Sequence, residues 1–225
     1  MKKATANKIL AAATPLFAAF GFENVTINQL AGAANVNSAA ISYYFGGKKA
    51  LYQVMLQNQF APARQALREA EASFRATAAE RLLDYAETIA AVKRKQPFLN
   101  SLWQYEIFRY QTCHRAPVVK EYTVQLYQCL CSSLCQGISN GEFSPDLHPQ
   151  NTASILIEII HAPCIPFSLA MECALPMEGA DTDYAVFAVH HYLQGIRRVP
   201  LPAVSRLPVQ KRMALPVKMT KHTTT

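Results

Sequence analysis

The stretch "ANVNSAAISYYFGGKKALY", from Ala34 to Tyr52, decides the fold of this chain. It contains no catalytic pair and no metal-ligand spacing, but it combines small residues, two adjacent tyrosines, a double glycine and a double lysine. Asn37 is a favourable N-cap residue, so a short helix, "SAAISYYF", is expected to follow it. Gly46 and Gly47 are expected to end that helix, because glycine adopts the backbone conformations found at helix C-termini.

A second short helix is predicted just before this one. Thr26 is a favourable N-cap for "INQLAGAA", and Asn35 tolerates the left-handed conformation of a tight turn. Two helices joined by such a short link form a helix-turn-helix unit, whose second helix enters the major groove of DNA. The side chains expected to share the small core are Leu30, Ala34, Val36, Ile41 and either Tyr44 or Phe45. The outward positions of the second helix are Ser38, Ala39, Ser42 and Tyr43.

The full spacing of this segment resembles the DNA-binding domain of TetR-family transcriptional regulators. It is carried by Thr26-Ile27-x-x-Leu30-Ala31-x-x-Ala34-Asn35-Val36-Asn37 and by Ile41-x-x-Tyr44-Phe45-x-x-Lys48-x-x-Leu51. The resemblance covers roughly residues 5–55. Within it, "AAISYYFGGKKALY" is particularly similar to the CecR-like branch of that family.

The resemblance implies a set of DNA contacts. Lys48 resembles the family lysine at the start of the fourth helix, where free backbone N–H groups also favour a phosphate. Thr26 resembles the phosphate-contacting cap of the second helix. The predicted DNA-contact residues are Thr26, Asn37, Ser38, Ala39, Ser42, Tyr43, Tyr44 and Lys48. Two departures are Asn35, where the family often has glycine, and Ser42, where it often has tyrosine and where one phosphate contact is in doubt.

Charge is distributed unevenly along the 225 residues. Residues 1–50 contain five Lys/Arg and one acidic residue, residues 51–196 contain ten and fourteen, and residues 197–225 contain seven and none. A basic start before an acidic middle indicates that one end meets an anion and the other does not. The last segment is rich in proline and predicts a disordered basic tail, although it could instead add non-specific attraction to DNA.

The remaining sequence predicts further helices and no strand. Apolar residues recur at three- and four-residue spacing in the segments 3–20, 48 to beyond 68, 78–95, 97–112, 117–138, 151–172 and 182–195. Pro15 conflicts with the helix at 3–20, and Pro62 predicts a kink or break in the helix that begins at residue 48. The expected fold is all-α, with a three-helix helix-turn-helix DNA-binding domain at 1–50 and a helical domain at 51–196.

The resemblance also implies that the second domain binds a small effector and forms a homodimer through its last two helices. Here those helices are 151–172 and 182–195. Two recognition helices that read adjacent half-sites also favour a dimer. The residues expected at the interface are Ile155, Ile159, Val186, Val189 and Leu193. The alternative is that these residues only fill the core of one chain.

Effector-binding candidates come from aromatic and polar residues in helical segments, because ligand pockets are mostly apolar with a few placed polar groups. An aromatic stripe more often belongs to the core, and His161 in an apolar run is more often a buried histidine with hydrogen-bond partners. The predicted pocket residues are Trp103, Tyr105, Phe108, His161 and Phe167.

Other classes of protein find less support in the sequence. It has no nucleophile elbow, P-loop or dinucleotide fingerprint, so we expect no enzyme activity, no catalytic residue and no cofactor. Cys129-x-Cys131-x-x-x-Cys135 admits a thiol or metal sensor, but it lacks a structural zinc spacing, and no metal is expected. No apolar run is long enough to span a membrane, so a cytoplasmic location is expected.

These features favour a ligand-responsive transcriptional regulator. It is expected to bind a palindromic DNA operator as a homodimer and to be released by a small-molecule effector. The repressor sense is a family default. The alternatives are an architectural or non-specific DNA-binding protein, and a thiol- or metal-sensing regulator.

Overall fold

The computed structural model describes residues 2–108, 116–162 and 184–197. Within these ranges the helices are joined by short turns and loops, and the strand-type pairing consists of an isolated bridge between Phe143 and Arg197, which confirms the all-α prediction. None of the described helices is long and apolar enough to cross a membrane. In chain order, the helices are α1 (Lys2–Asn24), α2 (Ile27–Ala34), α3 (Ser38–Phe45), α4 (Lys48–Ala72), α5 (Ala78–Lys95), α6 (Leu99–Phe108), α7 (Pro117–Ser139), α8 (Pro149–His161) and α9 (Tyr184–Ile196).

Helix α1 continues through Pro15 and changes direction at Gly21. Pro15 is exposed, so the backbone acceptor that it leaves without an N–H partner lies on the solvent side. Gly21 has φ 74° and ψ 170°, which interrupts the helical backbone where the sequence predicts an end. A Cβ at Gly21 would overlap the ring of Tyr105 on α6, so glycine is required both by the backbone and by this contact.

The two short helices begin and end at the predicted residues. A capping box starts α2, since Thr26 Oγ1 accepts from Gln29 N and Gln29 Oε1 accepts from Thr26 N. Asn35 ends α2 in the left-handed conformation with φ 46°. Asn37 Oδ1 caps α3 by accepting from Ala39 N at 2.9 Å, and Gly46 ends α3 with φ 79°. These local groups fix the angle between α2 and α3.

Helix α4 joins the N-terminal helices to the rest of the chain. It runs from Lys48 to Ala72, so the break that Pro62 predicted is absent. Pro62 is exposed, while Phe60 and Leu67 are fully buried and hold both halves of the helix against the core. The predicted boundary between residues 50 and 51 falls inside this helix, and its position stays a prediction.

The C-terminal helices pack around the second half of α4. Helices α5 and α7 contact α4, α8 packs on α7, and α9 packs on α5 and α8. The largest fully buried side chains of this part include Trp103, Tyr85 and Tyr122. The predicted ends of the helices at 97–112 and 151–172 and the tail beyond Arg197 lie outside the described residues.

Candidate DNA interface

Helix α3 presents one face to solvent and one to the core. Ile41 is fully buried, and it packs with α2 residues of the same small core. Because side chains three and four residues apart share a helix face, burying Ile41 turns the opposite face outward. The exposed residues of α3 and its cap are Asn37, Ser38, Ala39, Ser42 and Tyr43. This is the face on which the sequence placed the DNA contacts.

The buried face of the unit also agrees with the sequence interpretation. Ala31 is 5% exposed where α2 lies close to its neighbours, and Val36 is partly buried against the same core. Tyr44 and Phe45 are both partly buried and pack against that core. The Tyr44 ring also meets the Tyr43 ring edge-on, with centroids 5.0 Å apart. Tyr44 therefore supports an exposed aromatic residue as well as the core.

Thr26 and Asn37, two of the predicted DNA contacts, already act as helix caps. Thr26 Oγ1 donates its proton to Gln29 Oε1 at 2.9 Å and accepts from Gln29 N at 3.2 Å. The side-chain oxygen of Asn37, Oδ1, accepts from Ala39 N. Both residues are exposed at the starts of their helices. Their first effect is to fix the backbone of α2 and α3.

Lys48 is held by the protein itself. Its Nζ atom donates to Val25 O at 2.7 Å and lies 4.4 Å from the centroid of the Phe22 ring. Val25 immediately precedes the N-cap of α2, so Lys48 ties the start of α4 to the start of α2. An ammonium group has three N–H donors, so the bond to Val25 does not by itself prevent a phosphate contact. The predicted phosphate contact of Lys48 stays a prediction.

Lys49 is a candidate that the sequence interpretation missed. It is exposed in the first turn of α4, next to Lys48. Gly47 supplies no side-chain cap to that turn, so the first backbone N–H groups of α4 keep the partial positive charge of a helix N-terminus. The double lysine after the double glycine was the available signal, but the family resemblance directed attention to Lys48 alone.

A buried carboxylate connects these helices with the C-terminal part. Glu106 on α6 is 1% exposed, and its Oε1 atom accepts from Tyr52 Oη on α4 at 2.8 Å. Its Oε2 atom accepts from Ala116 N at 2.8 Å. The Tyr52 ring contacts the rings of Phe17 and Phe22, with centroids 4.9 and 5.0 Å away. Glu106 therefore joins α6, the segment before α7 and the aromatic cluster beneath the DNA-binding helices.

The structure brings two of the predicted effector residues together. The Trp103 and His161 rings stack with centroids 4.0 Å apart, and both residues are nearly fully buried. Trp103 Nε1 donates to Thr123 Oγ1 at 3.0 Å. His161 Nδ1 lies 3.1 Å from Ile157 O, and its Nε2 lies 3.0 Å from Tyr122 Oη.

The partners of His161 determine its protonation. The Ile157 carbonyl can only accept, so Nδ1 carries the proton and Nε2 accepts from the Tyr122 hydroxyl. Burial lowers the pKa of His161 to about 3, and the nearby Lys93 acts in the same direction while the bond to Ile157 opposes it. His161 is therefore neutral at pH 7. It has hydrogen-bond partners at both ring nitrogens, as expected for a buried histidine of the core.

The other predicted effector residues lie apart from this pair. Tyr105 faces Gly21 of α1, and Phe108 is 72% exposed. Phe167 lies outside the described residues. A cleft of about 340 Å³ lies between α4 and α5, with the ion pair of Arg75 and Asp84 in its wall. None of the four predicted effector residues that the structure describes lines this cleft.

The residues expected at a dimer interface divide into two groups. Val189 and Leu193 are 1% and 4% exposed within a single chain, so they serve the monomer core. Ile159 and Val186 are partly buried, whereas Ile155 is 45% exposed on α8. Large apolar side chains that the sequence interpretation did not name, Tyr184 and Phe187, are also about half exposed on α9.

Two of the three described cysteines are poorly suited to thiolate chemistry. Burial raises the pKa of Cys129 to about 11, with a further contribution from Glu71. Burial also raises the pKa of Cys131, and the neighbouring Cys135 adds to this effect. A raised pKa lowers the thiolate fraction that reacts or binds metal. Cys135 is exposed, and Cys113, Cys164 and Cys173 lie outside the described residues.

Residues 9–55 match the family described as bacterial regulatory proteins, tetR family. A relative from Bacillus subtilis (strain 168), the probable HTH-type transcriptional regulator YttP, is 43% identical over 53 residues. That match covers 24% of this chain and 26% of the relative, so the chain spans about a quarter of the relative's length. Residues 9–55, which match the family, run from within α1 through α2 and α3 to the first turns of α4.

Solved structures resemble a much larger part of the chain. The hemolysin II transcriptional regulator HlyIIR has a TM-score of 0.63 at 22% identity, with coverage of 87% of this chain and 98% of that one. The ketosteroid transcriptional regulator KstR2 of Mycobacterium tuberculosis has a TM-score of 0.67 at 19% identity, with coverage of 86% and 95%. A gamma-butyrolactone receptor described as ArpA like has a TM-score of 0.65 at 16% identity, with coverage of 88% and 90%. At these identities the likeness establishes the fold.

Proposed function

We propose that this chain, which carries a TetR-family DNA-binding domain, represses transcription as a homodimer on a palindromic operator and is released by a small-molecule effector. The observation that carries the proposal is the exposed face of α3. Local caps fix the ends of this helix, the buried Ile41 turns Ala39 and Ser42 outward, and Ser38 is exposed in the first turn. In a helix-turn-helix unit, this is the face that enters the major groove.

The dimer would use the outer faces of α8 and α9. Ile155, Tyr184 and Phe187 are large, apolar and 45–51% exposed on these two helices. Exposed apolar side chains that lie together favour a protein contact, and a two-fold contact would place two α3 helices for two half-sites. The buried Val189 and Leu193 would support this face from within each chain.

Effector release requires a connection between the two parts of the chain. The bonds of Glu106 to Tyr52 and to the Ala116 amide supply one, because α4 carries Tyr52 toward the DNA-binding helices. An effector that binds better to one arrangement of α6 and α7 would shift the population toward it. In this proposal the effector acts near Trp103 and His161, whose rings stack in the core of the C-terminal helices.

Two finer assignments rest on the sequence. Membership of the CecR-like branch rests on "AAISYYFGGKKALY", and the repressor sense rests on the family default. The raised pKa values of Cys129 and Cys131 give less support to a thiol-sensing regulator than to an effector-binding one.

Selection of random duplex DNA by the purified protein at near-physiological salt tests the proposal. We expect a palindromic motif, and Ser38→Ala or Ser42→Ala should change its base preference. Recovery without any motif, together with a steep salt dependence, would instead favour an architectural DNA-binding protein. If both serine variants leave affinity and base preference untouched, α3 is not the recognition helix.

Lys49→Ala gives a separate test of the phosphate contacts. We expect weaker binding to all sequences and a decrease of about 1 in the slope of log affinity against log salt. Arg68→Ala is the matched control, since it removes the same charge from an exposed position of α4 that lies about 28 Å farther along the helix at 1.5 Å per residue. Equal effects of both variants would show that net charge, and not a contact at the start of α4, sets the salt dependence.

A further inference from the structure

The recognition face of α3 lacks the side chains that read guanine. Its eight residues, Ser38–Phe45, include no charged side chain. Guanine is most often read by Arg or Lys, which donate to its N7 and O6 acceptors in the major groove. The exposed residues of α3 instead offer a methyl group on Ala39, hydroxyls on Ser38 and Ser42, and the ring of Tyr43.

Nearby residues do not easily replace the missing donors. Lys48 Nζ is bonded to Val25 O and lies against the Phe22 ring, so its contacts are with α1 and the segment before α2. Lys49 lies in the first turn of α4, where a helix N-terminus favours a phosphate over a base. Both lysines therefore suit the DNA backbone, which carries no sequence information directly.

The amides next to α3 are restricted as readers of adenine. A bidentate contact with adenine requires both the carbonyl oxygen and the NH₂ group of Asn or Gln. Asn37 Oδ1 already accepts from Ala39 N at 2.9 Å. Gln29 Oε1 accepts from both Thr26 N and Thr26 Oγ1, at 2.8 and 2.9 Å. Both lone pairs of Gln29 Oε1 are therefore in use, and Asn37 could accept from adenine only with the second lone pair of an oxygen that its cap already holds in place.

The exposed apolar groups fit one base feature in the major groove. The C5-methyl group of thymine is contacted by apolar side chains such as alanine. Ala39 is the second residue of α3, near the end of the helix that approaches the base edges in helix-turn-helix units. Tyr43 follows four residues later on the same face and is 66% exposed, with its ring held edge-on against Tyr44.

We infer that the chain recognises its half-site through thymine methyl groups, with Ala39 and Tyr43 as the residues that contact them. This inference rests on the proposed function. The rise along α3 between the two residues is about 6 Å, which limits the separation of the contacted bases along the DNA axis to about two base pairs at 3.4 Å each. The half-site is therefore A·T-rich, with two thymines at most about two base pairs apart facing α3.

Replacement of thymine by deoxyuridine in the selected duplex tests this inference, because it removes only the methyl group. We expect about a fourfold loss of affinity for each contacted methyl, from the transfer free energy of one buried methyl-sized group. Deoxyuridine at thymines outside the half-sites is the control and should have no effect. Ala39→Ser should make one thymine position insensitive to the replacement, and Tyr43→Ser should do so at the other.

Tyr43→Phe keeps the ring and should keep the sensitivity to the methyl group. Thermal unfolding of each variant identifies any loss of binding that comes from a destabilised helix. A palindrome that is rich in G·C pairs, or indifferent to deoxyuridine, overturns the inference and leaves the proposed function standing. Selection without any motif overturns both. A motif whose methyl sensitivity follows Ala39 and Tyr43 supports both.

Discussion

The caps of α2 and α3 use side chains that are close in sequence, whereas the hydrogen bonds around His161 connect distant parts of the chain. Thr26 bonds to Gln29, and Asn37 bonds to Ala39. In the C-terminal part, His161 meets Tyr122, 39 residues away, and its carbonyl accepts from Gln104, 57 residues away. The first group shapes individual helices, and the second fixes the positions of helices relative to one another.

This difference separates the helix-turn-helix unit, formed by α2 and α3, from the network around His161, where a bound ligand could affect several helices together. Local caps stabilise the ends of α2 and α3 without side chains from distant parts of the chain. The C-terminal network shares its partners, since Asn100 and Gln104 both donate to His161 O and Lys93 donates to Ile160 O. Displacing one member of such a network affects the others, which is a suitable property for an effector-binding region.

Trp103→Ala should produce the largest effect, because it removes the centre of the long-range network. Trp103 is 2% exposed, stacks on His161 and donates to Thr123 Oγ1. The free energy of unfolding should fall by about 3–5 kcal/mol, from lost burial and the cavity that remains. Urea unfolding followed by circular dichroism measures the change.

Phe108→Ala is the matched control on the same helix. Phe108 is 72% exposed, so its removal should change the unfolding free energy by less than about 0.5 kcal/mol. A loss below about 1 kcal/mol for Trp103→Ala would show that the aromatic core around α6 is not the stabilising element described above.

Tyr52→Phe should have the next largest effect and tests the link between the two regions. It removes the hydroxyl that bonds to the buried Glu106 carboxylate and keeps the aromatic contacts with Phe17 and Phe22. An acceptor left without its partner in the interior costs about 1–3 kcal/mol. Urea unfolding of the single variants and of Tyr52→Phe with Glu106→Leu gives a double-mutant cycle, in which the pair should cost less than the sum. Additive losses would mean that the two side chains are not coupled.

The sequence predicts the helix caps and turns of the fold but not the contacts between distant helices, and the reason is physical. The caps at Thr26 and Asn37, the turn at Asn35 and the end at Gly46 involve residues close together, so their chemistry is visible in a short stretch. The contact of Gly21 with Tyr105 depends on how distant helices pack. No spacing rule relates residues so far apart in the chain.

The contrast between local and long-range contacts also explains which features of the candidate DNA interface the sequence predicts. The exposed face of α3 follows from helical periodicity around Ile41. The bond from Lys48 to the Val25 carbonyl could not be predicted, because it crosses from α4 to the segment before α2. For Pro62, the local rule was wrong, since burial of Phe60 and Leu67 on one face of α4 outweighs one lost backbone bond.

The stability of the C-terminal network should decrease in mild acid because of His161. Its pKa is lowered to about 3 in the folded chain, against 6.5 ordinarily, so the unfolded chain binds more protons between these values. Stability is therefore fully present above about pH 6.5 and falls as the pH decreases toward 3. From pH 7.5 to 5.5 we expect a loss of about 1.4 kcal/mol from this group in urea unfolding.

His161→Gln provides the comparison for this pH dependence. Glutamine does not titrate, so the variant should lose the part of the slope that His161 contributes, whatever its stability at pH 7.5. If the wild-type and variant proteins show parallel stability profiles between pH 7.5 and 5.5, His161 is accessible to protons in the folded chain and the network around it is less closed than the structure indicates.

Thr26→Ala should have the smallest effect on stability. It tests whether the stability of the helix-turn-helix unit depends on local groups alone. Loss of an N-cap costs about 1 kcal/mol, and Thr26→Ser, which keeps the hydroxyl, should cost less. Because the Thr26 cap involves only Gln29, its loss should leave the pH profile that His161 produces unchanged, and the effects of Thr26→Ala and Trp103→Ala should add. Urea unfolding of the double variant measures this. A non-additive result would show that the helix-turn-helix unit and the C-terminal network are energetically coupled without ligand, which would place the path from effector to DNA partly in the caps of α2 as well as in Glu106 and Tyr52.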